Sequence, residues 1–160
     1  MIVSIIVILT VALDQFSKVW MTGFLAGEGG YYVLWPKVFN LMYIENRGAA
    51  FGMLQNARWL FIIITIIAII CAIVYLIIKR NNTSLLLKIS AAMILGGAIG
   101  NLIDRIFVGF VVDFFYFELI NFAVFNVADS FVSVGAVLLG IYILFFHEFE
   151  DEKKVSTDEQ

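Results

Sequence analysis

WLFIIITIIAIICAIVYLII, residues Trp59–Ile78, is a run of apolar residues with no charged side chain. A hydrocarbon core roughly 30 Å thick is crossed by about 20 apolar residues of helix, so this run predicts a transmembrane helix. Three further stretches are long and apolar enough to do the same: Ile2 to about Met21, Leu85–Ile103 and Val124–Phe146. With 62% hydrophobic residues in a chain of 160, against about 45–50% in soluble domains, the sequence predicts a membrane protein with four transmembrane helices.

The remaining composition excludes several classes of function. The net charge is −3 and no basic stripe is present, which argues against nucleic acid as a partner. The single cysteine, Cys71, forms neither an intrachain disulfide nor a zinc cage. The first apolar stretch has no Lys or Arg ahead of it, so we expect a retained helix rather than a cleaved signal peptide. We expect one integral-membrane domain over residues 1–150 and a polar, disordered cytoplasmic tail over 151–160.

Four helices place both termini on one side of the membrane. The Lys and Arg residues divide evenly between the two sides, but those on the terminal side lie in a very short loop and the tail. This arrangement favours cytoplasmic termini. The longest connection, Thr22–Arg58, contains the strand-like runs YYVLW and VFNLMYIEN. Its aromatic residues are expected at the membrane surface, where amphipathic rings collect.

Three sets of polar residues within or beside the apolar stretches fall at one membrane face, whereas Lys88 lies near the start of the third stretch. Since successive helices alternate in direction, the end of the first, the end of the third and the start of the fourth lie at the same depth. These three places hold the pair Asp14 and Lys18, the group Asn101, Asp104 and Arg105, and the pair Asn126 and Asp129; the long connection adds Asn46 and Arg47. An ionisable residue within a membrane helix costs about 2.5 kcal/mol or more, so the clustering indicates a functional site.

Some members of this cluster have structural interpretations. Asp14 and Lys18 are four residues apart with the acid first, the favoured order for a helical ion pair. Asn126 is suited to cap the fourth helix. Gly96 and Gly100 form a GxxxG motif, which predicts close approach of the third helix to a neighbour.

Asp113 and Asp129 have no basic partner at helical spacing. Two carboxyl groups held close together share a proton, because both cannot ionise easily. One ionised and one protonated carboxyl group is the requirement of aspartyl proteolysis. The only histidine, His147, lies at the opposite face, which excludes a Ser-His-Asp triad and an HExxH zinc site. A Ser130–Lys18 dyad stays open as an alternative.

Two non-proteolytic functions are also compatible with four helices and membrane acids. One is a small proton-coupled transporter, although transporters place their acids near the midplane and show repeated halves. The other is a membrane assembly factor in which the acids serve only helix packing.

Five motifs resemble, in order and over nearly the whole chain, those of the bacterial lipoprotein signal peptidase (signal peptidase II) family. They are DQFSK (Asp14–Lys18), ENRGAAFG (Glu45–Gly52), GGAIGNLIDR (Gly96–Arg105), VVDFF (Val111–Phe115) and FNVADS (Phe125–Ser130). The segment Tyr116–Val124 departs from the family pattern, because it lacks a proline just before FNVADS.

The resemblance implies an aspartyl endopeptidase of the cytoplasmic (inner) membrane, active at the extracytoplasmic face. Its substrate would be a lipid-modified prolipoprotein, cut just before the lipidated cysteine, and it would act among membrane lipids as a monomer, without metal or cofactor. The catalytic pair falls on Asp113 and Asp129, with Asp104 as competitor for the second acid. The family's supporting residues fall on Asp14, Asn46, Asn101, Asp104, Arg105, Asn126 and Ala128. The resemblance also implies a small extracytoplasmic β-sheet within Thr22–Arg58 and a nearby interfacial helix.

Overall fold

The computed structural model describes residues 1–48, 53–78 and 83–146, and within them the chain forms four long helices and three strands. The elements are α1 Ile2–Gly27, β1 Tyr31–Trp35, β2 Phe39–Asn46, α2 Arg58–Ile78, α3 Leu85–Phe107, β3 Val111–Tyr116 and α4 Val127–Phe145. All four helices are long and apolar enough to cross a membrane. The prediction of a four-helix, multi-pass membrane protein is confirmed.

Two helix ends differ from the sequence prediction for identifiable reasons. Helix α1 continues past Met21 to Gly27, because Leu25 packs into a core that contains Leu41 and Phe114. Helix α4 starts later than predicted, since Phe125 instead exchanges backbone hydrogen bonds with Phe115 at 2.8 and 3.0 Å. Both differences come from contacts with the sheet.

The strands form one antiparallel sheet in the order β1-β2-β3. Strands β1 and β2 lie within Thr22–Arg58, so the prediction of a small sheet is confirmed, and a third strand is added by the link between α3 and α4. Ile44 of β2 is opposite Asp113 of β3. The chain enters and leaves the sheet from the ends of α1 and α3 and the starts of α2 and α4, which places the sheet at one end of the helix bundle.

Helix α3 is the centre of the bundle and packs against the other three helices. Close approach to α1 depends on Gly96 and Gly100, because an added methyl group would overlap Thr10 at the first position and Asp14 at the second. The GxxxG prediction is thus confirmed. On the side of α4, a methyl group on Gly97 would overlap the carbonyl oxygen of Ala128.

Some sequence predictions fall outside the described residues. They are the last four residues of the ENRGAAFG motif, residues 49–52, and the polar tail, residues 151–160. In the described part of the long connection, Met53–Asn56 form turns, and we see no interfacial helix there.

Candidate active site

Asp113 and Asp129 are joined through Asn126. The side-chain amide of Asn126 donates to Oδ1 of Asp113 at 2.7 Å, and its backbone N–H donates to Oδ2 of Asp129 at 3.2 Å. The second oxygen of each acid accepts from another asparagine: Asn46 donates to Asp113 at 2.8 Å, and Asn101 donates to Asp129 at 2.8 Å. The three asparagines hold the two carboxyl groups in one hydrogen-bonded unit.

Local structure explains how these residues meet. Asn126 is the N-cap of α4, and its side-chain oxygen accepts from the backbone N–H of Asp129 in a reciprocal capping box. Phe125, the residue before it, is paired with Phe115 of β3. The cap and the strand pairing together bring Asn126 beside Asp113. The predicted cap is confirmed, and the proline-free loop joins the sheet through this pairing.

The two acids have different surroundings. Asp113 is 1% exposed, whereas Asp129 is half-buried. Burial, and after it the negative charge of Asp129, raises the pKa of Asp113 to about 7, against the opposing effect of the amide donors Asn46 and Asn126 and of the Lys18 charge. Asp129 lies in the first turn of α4, where the helix dipole stabilises negative charge.

Both acids line a cleft of about 500 Å³, a volume typical of sites that enclose a ligand. Its polar end also contains Asn46, Asn101 and Arg105. The apolar part is formed by one loop and one helical face, with Phe122, Ala123, Val124 and Phe125 from the loop and Val132 and Val134 from α4. Phe122 and Val134 are 45% and 49% exposed, so the apolar part of the cleft is open at the bundle surface.

Lys18 connects two further acids behind the cleft. Its ammonium group lies 2.8 Å from Oδ2 of Asp14 and 2.9 Å from Oδ2 of Asp104, and it donates to Asn101 at 2.9 Å. Lys18 itself is only 3% exposed. The predicted Asp14–Lys18 pair is confirmed, and it extends to α3.

Asp104, the competitor for the second acid, has its partners on other elements. Its ion pair is with Lys18, Gln15 donates to its Oδ1 at 2.9 Å, and the backbone N–H of Val112 donates to its Oδ2 at 3.3 Å. These groups come from α1 and β3, so spacing along α3 did not indicate them. Asp104 is absent from the described residues that line the cleft, which favours Asp113 as the second acid.

Arg105 lies at the cleft and braces the long connection. Its guanidinium group donates to the carbonyl oxygens of Asn101 and Gly48, both at 3.4 Å, and lies 5.1 Å from the ring centroid of Phe61. Contacts with α3, with the long connection and with α2 fix the position of Arg105. Its positive charge lies in the lining of the cleft that both acids share.

Asp14 and Ala128 link α1 to α4. The backbone N–H of Ala128 donates to Oδ1 of Asp14 at 3.0 Å, and both residues are fully buried. The sequence analysis missed Gln15, which also donates to Asp14 at 3.1 Å. The sequence did contain a signal for Gln15, because a second polar residue beside Asp14 inside an apolar stretch indicates a shared polar contact.

The contacts do not support a Ser130–Lys18 dyad. The hydroxyl group of Ser130 donates to the carbonyl oxygen of Asn126 at 3.0 Å, and Lys18 is engaged by Asp14 and Asp104. Within residues 1–48, 53–78 and 83–146, no group of three or more His, Cys, Asp and Glu residues is arranged to hold a metal ion.

The fold and the site define a multi-pass membrane protein with a paired-carboxyl cleft at one end of its helix bundle. A family model described as "Signal peptidase (SPase) II" matches residues 6–145. The chain belongs to the signal peptidase II family.

Relatives in that family are similar over most of their length. The lipoprotein signal peptidase of Clostridioides difficile (strain 630) is 45% identical over 91% of this chain and 97% of its own. That of Caldanaerobacter subterraneus subsp. tengcongensis is 51% identical over 88% of this chain and 94% of its own. A solved bacterial membrane enzyme, determined by the in meso method at 2.3 Å resolution, has a TM-score of 0.77 at 33% identity, over 89% of this chain and 87% of its own.

Proposed function

We propose that the chain is an aspartyl endopeptidase that cuts lipid-modified prolipoproteins just before the lipidated cysteine. Signal peptidase II function and a prolipoprotein substrate follow from the family. The aspartyl mechanism is supported by one observation above all: Asp113 and Asp129 line the same cleft and are both bound by Asn126. A pair of carboxyl groups with different environments is the arrangement that separates an acid from a base.

In the proposed mechanism Asp129 is the base and Asp113 the acid. The pKa of Asp113 is raised to about 7, so near neutral pH a large fraction of the protein keeps a proton on this carboxyl group, which then donates a hydrogen bond to the scissile carbonyl oxygen. Asp129 takes a proton from a water molecule as the water oxygen bonds to the carbonyl carbon, and the proton of Asp113 passes to the carbonyl oxygen. Asp129 then protonates the leaving nitrogen, the C–N bond breaks, and a hydroxyl proton of the intermediate returns to Asp113.

The remaining contacts position these two acids. Asn46, Asn101 and Asn126 orient the carboxyl oxygens. Asp14 fixes the start of α4 through the N–H of Ala128. Asp104 and Lys18 tie α1 to the end of α3, and Arg105 holds the long connection against α3. Such supporting groups keep catalytic side chains within the narrow geometry that a reaction requires.

The open apolar part of the cleft supports lateral entry of a lipid-anchored substrate. Phe122 and Val134 lie at its exposed rim, and acyl chains would pass between them while the scissile bond stops beside the acids. We place both termini in the cytoplasm and the cleft at the outer face of the inner membrane. Residues 1–150 would work as one domain and as a monomer.

The proposal is tested by incubating the purified protein in detergent with a synthetic precursor peptide carrying diacylglycerol on its cysteine. We expect two products whose masses place the cut immediately before that cysteine, and no cutting of the same peptide without lipid. A transporter or an assembly factor releases no signal peptide. Cutting elsewhere, or equal cutting of both peptides, would contradict the proposed specificity.

A further inference from the structure

A second pocket lies between the end of α3 and the start of α2, apart from the acids. Its volume is about 340 Å³, and it is lined by Arg47, Asn56, Arg58, Trp59, Val108 and Gly109. None of these residues lines the acid cleft, and the proposed reaction uses none of them. Two arginines lining one pocket carry the charge that would attract an anion.

Arg58 is oriented by the end of α3. Its Nε donates to the carbonyl oxygen of Arg105 at 2.6 Å, and its Nη2 donates to that of Ile106 at 2.9 Å. The third nitrogen, Nη1, lies beside Gly109, 3.6 Å from the place that a Cβ atom would take there. Because Gly109 lines the pocket, the fixed guanidinium group presents its remaining N–H groups at the pocket wall.

Arg47 contributes a second, more exposed charge. Its guanidinium group lies 5.1 Å from the centroid of the Phe110 ring and pairs with Glu45 at 2.8 Å, with side-chain exposures of 50% and 41%. An ion pair this exposed is weak, so an anion with stronger acceptors can compete for Arg47. With Glu45 counted, the two arginines leave one net positive charge at the pocket.

The depth of the pocket matches that of lipid headgroups. Helix α2 begins at Arg58 and is apolar from there on, and α3 ends at Phe107. Trp59 is 69% exposed, as is typical of a tryptophan at the membrane–water boundary. The first turn of α2 has no acidic residue, so the positive end of its dipole also faces this level.

We propose that this pocket binds the phosphate group of an anionic phospholipid. Arg58 and Arg47 would donate to the phosphate oxygens, a pairing that guanidinium groups favour. The acyl chains would lie against exposed aliphatic residues of α2 such as Ile63 and Ile67. Inorganic phosphate has the same acceptor chemistry, but it lacks the chains that would hold it at this depth.

The test is a titration of the purified protein in dodecyl maltoside with dioleoyl phosphatidylglycerol, followed by native mass spectrometry. Dioleoyl phosphatidylcholine and inorganic phosphate are titrated in parallel. We expect phosphatidylglycerol to bind at least about tenfold more tightly than phosphatidylcholine, and Arg47→Gln to weaken it about fivefold, the value of one arginine near an anionic lipid surface. Arg58→Gln should weaken it at least as much.

Lys37→Gln is the matched control, because Lys37 is an exposed cation in the β1–β2 turn that does not line the pocket. Its affinity for phosphatidylglycerol should equal that of the wild type. Since Arg58 also caps α3, its variant can lose stability, whereas Arg47 has no contact with α3 among its hydrogen bonds in the described chain. Equal affinity for both lipids, unchanged binding by Arg47→Gln, or an equal loss in Lys37→Gln would overturn the proposal. Displacement of the lipid by millimolar inorganic phosphate would overturn the assignment to a lipid.

Discussion

Replacing Asp113 with asparagine should change how the stability of the protein depends on pH. The pKa of Asp113 rises from 3.8 to about 7 on folding, first because of burial and then because of the charge on Asp129. Between these two pH values the folded carboxyl group keeps a proton that the unfolded chain releases. The unfolded state then binds fewer protons than the folded state, so the free energy of unfolding falls as pH rises through this window.

The size of the effect follows from the shift. Each pH unit corresponds to about 1.4 kcal/mol, so a shift of about three units lowers the stability of the wild type by about 4 kcal/mol between pH 4 and pH 8. Asparagine has the same shape and does not titrate. Asp113→Asn should therefore lack this pH dependence, so its stability relative to the wild type should rise by about 4 kcal/mol between pH 4 and pH 8, whatever constant cost follows from the loss of one accepting oxygen.

Thermal unfolding in detergent at pH 4, 5, 6, 7 and 8 measures this difference. Glu28→Gln is the control, since it removes the same charge from an exposed acid at the end of α1 that does not line the cleft. Parallel profiles for Asp113→Asn and the wild type would show that Asp113 does not hold its proton more tightly in the folded state, and the prediction would be wrong.

Three further predictions concern the surrounding network. Asp14→Ala should lower stability by about 3 kcal/mol, since it removes one partner of buried Lys18, and should lower turnover per folded molecule less; a stable but inactive variant would move Asp14 into the chemistry. Gly100→Ala should destabilise by about 1–3 kcal/mol through overlap with Asp14, whereas Gly23→Ala, with nothing near its added methyl group, should stabilise by up to about 1 kcal/mol in thermal unfolding, because alanine is the better helix former; equal effects would contradict the packing argument. The pH profile of kcat/KM should be bell-shaped, with its upper limb near 7, and EDTA should leave the rate unchanged; a rate lost to EDTA and restored by a divalent ion would make the acids metal ligands.

Much of the architecture follows from the sequence because membrane thickness restricts it strongly. Helix length and the alternating direction of successive helices were enough to place Asp14, Asp104 and Asp129 at one end of the bundle. The cap at Asn126 was also predictable, because a cap depends only on neighbouring residues.

Contacts between elements were not predictable in the same way. Strand β3, with sequence VVDFFY, is buried at its first four positions, so it shows none of the alternation that marks a half-exposed strand. The bridge from Lys18 to Asp104 joins two helices, and no spacing within one helix encodes it. The contact of Asn126 with Asp113 forms only when β3 is in place, so it could not be predicted without predicting that strand.

The central claim is that Asp113, and not Asp104, acts with Asp129. The most direct test is kcat/KM for cleavage of the lipidated precursor by Asp113→Asn, Asp129→Asn and Asp104→Asn, each normalised to the amount of folded protein. We predict losses of roughly a thousandfold or more for the first two, as is typical when a catalytic group is removed, and a much smaller loss for Asp104→Asn, whose contacts are with Lys18 and Gln15 behind the cleft. Near-normal turnover by Asp113→Asn, together with an inactive but folded Asp104→Asn, would contradict the claim.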